Sequence, residues 1–215
     1  MISKLHYISQ LPEKGGHLDA INQALEAGCK WIQLRVKNEP VEAILEYALA
    51  ARKLCNEHGA KLIINDFPEI ALEAGADGVH LGFLDISLAR AREIVGRELI
   101  IGGTANTFED VELRVREGAD YIGLGPYRFT ATKLKLSPIV GLEGYEKILS
   151  QVKAAGITVP LIAVGGILTE DLTAIMQTGF HGVAMSGAIT FSPERSQTVA
   201  RIYELVNAAP VTQAS

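Results

Sequence analysis

Gly75-Ala-Asp-Gly-Val-His-Leu-Gly82 is a glycine set after a helical pattern, then a short apolar run that ends in polar residues. The phrase returns as Gly28-Cys-Lys-Trp-Ile-Gln-Leu-Arg35, Gly118-Ala-Asp-Tyr-Ile-Gly-Leu-Gly125 and Gly179-Phe-His-Gly-Val-Ala-Met-Ser186. Each leading glycine suits a left-handed helix C-cap, and each apolar run reads as a buried strand. The four glycines are 47, 43 and 61 residues apart, about double one strand–helix unit. Between them lie further apolar runs at Leu5–Ile8, Lys61–Ile64, Leu99–Ile101 and Pro160–Val164. Eight strands alternating with helices predict α/β architecture, a single (β/α)8 TIM barrel over residues 1–209, with 210–215 a frayed, disordered tail. In such barrels the active site gathers at the C-terminal ends of the strands.

The 215 residues place the chain at the small end for a barrel, yet a chain of this size buries roughly 70% of its unfolded surface. The formal net charge of −5 argues against nucleic-acid or anionic-membrane partners. Cys29 and Cys55 lack metal-ligand spacing and read as small core residues in a reducing compartment. Met1 to Gln10 carries no long apolar segment, and no run approaches the ~18 apolar residues of a membrane span. The expectation is a cytoplasmic enzyme with small-molecule partners; a homo-oligomer is left open.

The strand ends are where chemistry concentrates. Arg35 and Lys37 alternate about Val36, so both can face one way, with Gln33 two positions deeper on the same side. Asp66 and Asp85 follow the third and fourth strands, with Asn65 just before Asp66. Two carboxylates beside two cations suit a metal-bound pyrophosphate, since Mg²⁺ takes one or two carboxylates plus phosphate oxygens while Arg and Lys take the rest. The plainer alternatives are ion pairs of Arg35 and Lys37 with Glu39 or Glu42, and helix capping by Asn65-Asp66 ahead of Pro68. His80, between Val79 and Leu81, reads as a hydrogen-bonded histidine of the barrel interior rather than a general base.

Three later segments add anion-binding chemistry. About twenty residues, Pro126 to Gly144, interrupt the rhythm before a helix expected at Tyr145, and a loop that long reads as a lid or binding loop. It contains Thr130-Ala-Thr-Lys133, two hydroxyls and an ammonium able to wrap a phosphate. Gly165-Gly166 and Ser186-Gly187 follow strands seven and eight and precede helices. Barrels of this class frequently bind phosphate there through backbone N–H groups.

Gln33-Leu-Arg-Val-Lys37, Ile63-Ile-Asn-Asp66, Gly75 to Gly82, Gly123-Leu-Gly-Pro126, Thr130-Ala-Thr-Lys133 and Ile162-Ala-Val-Gly-Gly-Ile167 occur in an order that resembles the thiamine phosphate synthase family. The resemblance covers nearly the whole chain. It implies a transferase that joins hydroxymethylpyrimidine diphosphate to hydroxyethylthiazole phosphate, giving thiamine phosphate and pyrophosphate. It further implies that Asp66 and Asp85 hold Mg²⁺ and that Gln33, Arg35, Lys37, Asn65, Thr104 and Lys133 contact the pyrimidine diphosphate. Of these, Arg35, Lys37, Thr104 and Lys133 take the catalytic roles. Thr130, Thr132, Gly166, Ser186 and Gly187 are implied to place the thiazole phosphate. The chain departs from the family pattern at Phe67, Phe83, Val36 and Gly187. Two other readings stand beside this one: a thiazole tautomerase-like barrel, which needs a histidine where this chain has Asn106, and a non-catalytic phosphate sensor.

Overall fold

The computed structural model describes residues 1–129 and 138–208. Eight strands close into one parallel barrel in sequence order: β1 (Leu5–Ile8), β2 (Trp31–Leu34), β3 (Lys61–Asn65), β4 (Gly78–Leu81), β5 (Ile100–Ala105), β6 (Tyr121–Leu124), β7 (Leu161–Val164) and β8 (Gly182–Met185). The ring is sealed by β8 against β1, with Leu5 opposite Val183 and Tyr7 opposite Met185. Around it run α1 (His17–Glu26), α2 (Val41–Glu57), α3 (Pro68–Glu73), α4 (Leu88–Val95), α5 (Phe108–Arg116), α6 (Gly141–Ala154), α7 (Leu172–Gln177), α8 (Gly187–Thr190) and α9 (Arg195–Asn207). None of these helices is long and apolar enough to cross a membrane.

The repeated phrase has a structural cause. Its leading glycines all take positive φ, for example +61° at Gly75 and +82° at Gly118, which ends each helix and turns the chain into the next strand. The aspartates two residues on then tie strand to strand at the bottom of the barrel. Asp77 accepts the Leu62 N–H at 2.8 Å, and Asp120 accepts the Ile101 N–H at 2.8 Å. Arg52 and Arg92 anchor these carboxylates at 2.6 and 2.7 Å. Helix starts are equally legible: Pro68 opens α3, Ser87 caps α4 by accepting the Arg90 N–H, and Thr107 with Asp110 forms a capping box on α5.

Several boundaries differ from the sequence expectation. The second strand stops at Leu34, so Arg35 to Lys37 lie just beyond it. The fifth extends to Ala105, because its glycines are strand residues and not a turn. The helix after the long loop starts at Gly141, four residues before Tyr145. The last helix begins at Arg195, and the helix after Ser186 is a single turn. Cys29 and Cys55 are free and fully buried, and burial pushes both thiols up to about 12, so they act as small core residues.

Outward-facing strand residues build the main core with the helices, while Trp31, Ile63, Tyr121, Ile162 and Ala184 fill the barrel interior. Within that interior His6 stacks on Trp31 at 4.3 Å, and both meet Tyr121 edge-on. A Cβ on Gly102 would stand 2.2 Å from the Tyr121 ring, so this glycine makes room for the aromatic plug. The plug floors the site above it.

Burial, the largest influence, pushes the His6 imidazole from 6.5 down to about 3, against the opposing hydrogen bond to the Ser3 carbonyl. The folded barrel therefore keeps the ring neutral where the unfolded chain takes up a proton. Stability complete above the unfolded value is lost progressively as pH falls from 6.5 toward 3. Denaturant titrations should show a loss of about 2 kcal/mol from this ring between about pH 7 and about pH 5. His6→Gln should remove that share of the slope; a slope unchanged by the substitution would contradict it.

Candidate active site

The polar residues of the strand ends converge above the aromatic plug. His80 on β4 bonds Tyr121 Oη through Nδ1 at 3.0 Å and Thr104 Oγ1 through Nε2 at 3.1 Å. It is the interior, hydrogen-bonded histidine expected from its apolar neighbours, and it holds Thr104, itself buried on β5. Gln33 is buried on β2, in register with Ile63, and Asn65 ends β3 opposite His80.

Just beyond the strands the charges meet. Lys37 pairs with Asp66, not with Glu39 or Glu42. Asp66 does not cap α3, whose N-cap is Phe67 and which has no side-chain cap. Instead Asp66 takes φ +72°, an uncommon left-handed conformation for a residue with a side chain, and its N–H is held by the His80 carbonyl at 2.9 Å. The Asp85 carboxylate accepts the Gly82 N–H at 2.7 Å. Burial raises the Asp85 carboxyl above the ordinary range and the charge and hydrogen bond of neighbouring Asp66 add to it, against the lowering by Gly82 N–H and Lys37. Two half-buried carboxylates that close repel each other unless a proton or a cation lies between them. No group of three or more acidic, histidine or cysteine ligands exists among the described residues, so a hard cation here would complete its shell with oxygens of water or a ligand.

The opposite half of the mouth is a cavity of about 300 Å³ that runs from Arg35 to Gly165-Gly166 and Ser186-Gly187. Burial lowers the Arg35 guanidinium and the Asp66 charge offsets part of this, which places Arg35 between the carboxylate pair and the cavity. Gly165 and Gly166 take φ +103° and +69°, and a Cβ on Gly166 would stand 2.5 Å from Arg128 Cγ. Sequence reasoning missed the clamp that shapes this turn. Tyr127 and Arg128 donate backbone N–H groups to Val164 and Gly165 at 2.9 and 3.1 Å. The Arg128 guanidinium bonds the Gly166 carbonyl at 3.1 Å and Asp171 at 2.7 Å. A lone arginine in a loop gave no signal; its partner is 43 residues away.

Thr130, Thr132 and Lys133 lie outside the described residues. Phe83, a departure from the family pattern, sits against the Arg114 guanidinium at 5.0 Å, and Phe67 packs on the core.

The sequence profile described as thiamine monophosphate synthase matches residues 7–189. The chain belongs to the thiamine monophosphate synthase family. Within the family, a thiamine-phosphate synthase of Bacteroides fragilis is 48% identical over 201 residues, covering 94% of this chain and 98% of that protein. One from Bacteroides thetaiotaomicron is 50% identical over 185 residues, covering 86% and 88%. Among solved structures, a thiamine phosphate pyrophosphorylase from Pyrococcus furiosus shares the fold with a TM-score of 0.80 and 30% identity, covering 94% of this chain and 95% of that one. As a member of the thiamine monophosphate synthase family the chain is a transferase.

Proposed function

We propose that this site joins hydroxymethylpyrimidine diphosphate to hydroxyethylthiazole phosphate with loss of pyrophosphate, and that it uses Mg²⁺. The observation that carries the reading is the meeting of Asp66 and Asp85 beside Lys37, with Arg35 between them and a cavity walled by the Gly165-Gly166 turn. The acidic pair fits Mg²⁺ because hard cations of this size take one or two carboxylates and complete their shell with phosphate oxygens. When bound, Mg²⁺ neutralises charge on the diphosphate.

The residues themselves do the rest. Arg35 and Lys37, with Lys133 from the loop, receive the anionic oxygens of the leaving pyrophosphate. The bond from the pyrimidine methylene carbon to oxygen breaks, and the electron pair leaves with pyrophosphate. The electron-rich aminopyrimidine tolerates the cation that develops at the methylene carbon. Gln33, Asn65 and Thr104 hold that ring over the plug, Thr104 being fixed by His80. The thiazole nitrogen, held by its phosphate at Gly166 and Ser186-Gly187 with Thr130 and Thr132, then forms the new C–N bond. No proton changes hands at the reacting atoms, which agrees with His80 being committed to Tyr121 and Thr104. Positioning and leaving-group electrostatics supply the catalysis.

Asn106 speaks against the tautomerase alternative. Its side-chain amide donates to the Gly125 carbonyl, and an amide cannot act as a general base near neutral pH. A pair of assays tests the reading. Pyrophosphate should be released only when both substrates are present, and a thiazole carboxylate phosphate should not isomerise. Rapid isomerisation without pyrophosphate release would overturn it.

Arg128→Met supplies a further check on the phosphate side. Losing the bonds to Gly166 and Asp171 should raise KM for the thiazole phosphate by about tenfold, with KM for the pyrimidine diphosphate little changed. Equal KM values for variant and wild type would mean that the clamp does not shape the turn.

A further inference from the structure

The cavity that Arg35 shares with the Gly165-Gly166 turn has another wall, where the chain leaves β1 and β8. Gln10 and Ser186 line that wall, and each carries a buried polar atom with no hydrogen-bond partner among the described residues, Gln10 Nε2 and Ser186 Oγ. Buried donors left unpaired are few in native proteins, and where they gather beside a cavity they mark a place for an acceptor. Gly187, next in the chain to Ser186, lines the same wall. Its φ is outside the left-handed region, so its backbone makes no demand for glycine. What its missing side chain provides is space: a Cβ built there would stand 3.3 Å from Gln10 Nε2.

We propose that Gln10 is a phosphate-binding residue. Its amide donates to the phosphate monoester of the substrate held in this cavity, Ser186 Oγ adds a second donor, and the open space at Gly187 admits the amide. The assignment deepens the synthase reading and rests on it for the identity of the ester, hydroxyethylthiazole phosphate. A neutral amide and a hydroxyl suit an ester that already has Arg35 nearby, since they add directed hydrogen bonds without a further charge to desolvate.

Calorimetric titration tests this, with Mg²⁺ and pyrophosphate present to stand in for the other substrate. Hydroxyethylthiazole phosphate and its dephosphorylated alcohol are the two probes. Gln10→Leu keeps the bulk and removes the donor; its Kd for the phosphate ester should rise on the order of tenfold, with the alcohol unaffected. Gln10→Glu keeps the shape and sets an anion against the phosphate, so its loss should be larger, on the order of 10²-fold.

A merely structural role for Gln10 would lower the melting temperature and weaken ester and alcohol alike, and that result would overturn the assignment. So would a Gln10→Leu variant that binds the ester as wild type does. If Gln10→Leu does not fold, Gln10→Glu decides alone: folded with unchanged ester binding, it overturns the proposal. A wild-type protein that makes no thiamine phosphate yet shows the predicted binding pattern takes down the synthase reading and leaves Gln10 as a phosphate ligand. A wild-type protein that binds the ester no better than the alcohol removes the Gln10 assignment.

Discussion

Asp66→Asn and Asp85→Asn should each lower turnover by on the order of 10²-fold or more while the barrel keeps its fold. Asparagine preserves shape and removes the charge that would hold Mg²⁺. At position 66 the backbone is at φ +72°, and asparagine is among the few residues that tolerate this region, so the exchange adds little strain. At position 85 the amide oxygen can still accept the Gly82 N–H. Asp85 is also held in an unfavourable state by burial and by Asp66, so removing its charge relieves repulsion. Asp85→Asn should thus match or exceed the wild-type melting temperature while losing activity, the expected trade between stability and a strained site. Kinetics at limiting Mg²⁺ together with thermal unfolding read both effects. Near-normal turnover in both variants would remove the metal assignment.

The second large effect is expected at the phosphate turn. Gly166→Val should raise KM for the thiazole phosphate by on the order of 10²-fold, far more than for the pyrimidine diphosphate. Two causes act together. A β-branched residue is strained at φ +69°, and its Cβ would press on Arg128 Cγ at 2.5 Å and the Phe129 carbonyl at 3.1 Å. The turn must then shift from the position that meets the phosphate, while Lys37, Asp66 and Asp85 lie after other strands, β2, β3 and β4, and are untouched. Steady-state kinetics with each substrate varied in turn decides it. An equal rise in both KM values would place the phosphate elsewhere or mean general damage to the barrel.

The barrel was legible because its signals are local. Glycine after helix, apolar run and polar end recur in sequence, and the structure explains each part, from the positive φ of Gly75 to the strand-tying carboxylates of Asp77 and Asp120. Boundaries shifted where glycines misled, as at Gly102-Gly103 inside β5 and Gly141 at the head of α6. The charged half of the site was legible too, since Arg35, Lys37, Asp66 and Asp85 all lie within four residues of a strand end. What escaped was the clamp of Arg128 with Asp171 and the amide of Gln10. Neither sits in a periodic pattern, and each acquires meaning only from a neighbour distant in sequence, Gly166 in one case and Gly187 in the other.

The most direct test of the account is a single incubation of the protein with hydroxymethylpyrimidine diphosphate, hydroxyethylthiazole phosphate and Mg²⁺, followed by mass spectrometry. Thiamine phosphate should accumulate with an equal amount of pyrophosphate, and neither should form when one substrate or the Mg²⁺ is withheld. Absence of thiamine phosphate from the complete mixture, with folded protein and both substrates intact at the end, would contradict the synthase assignment.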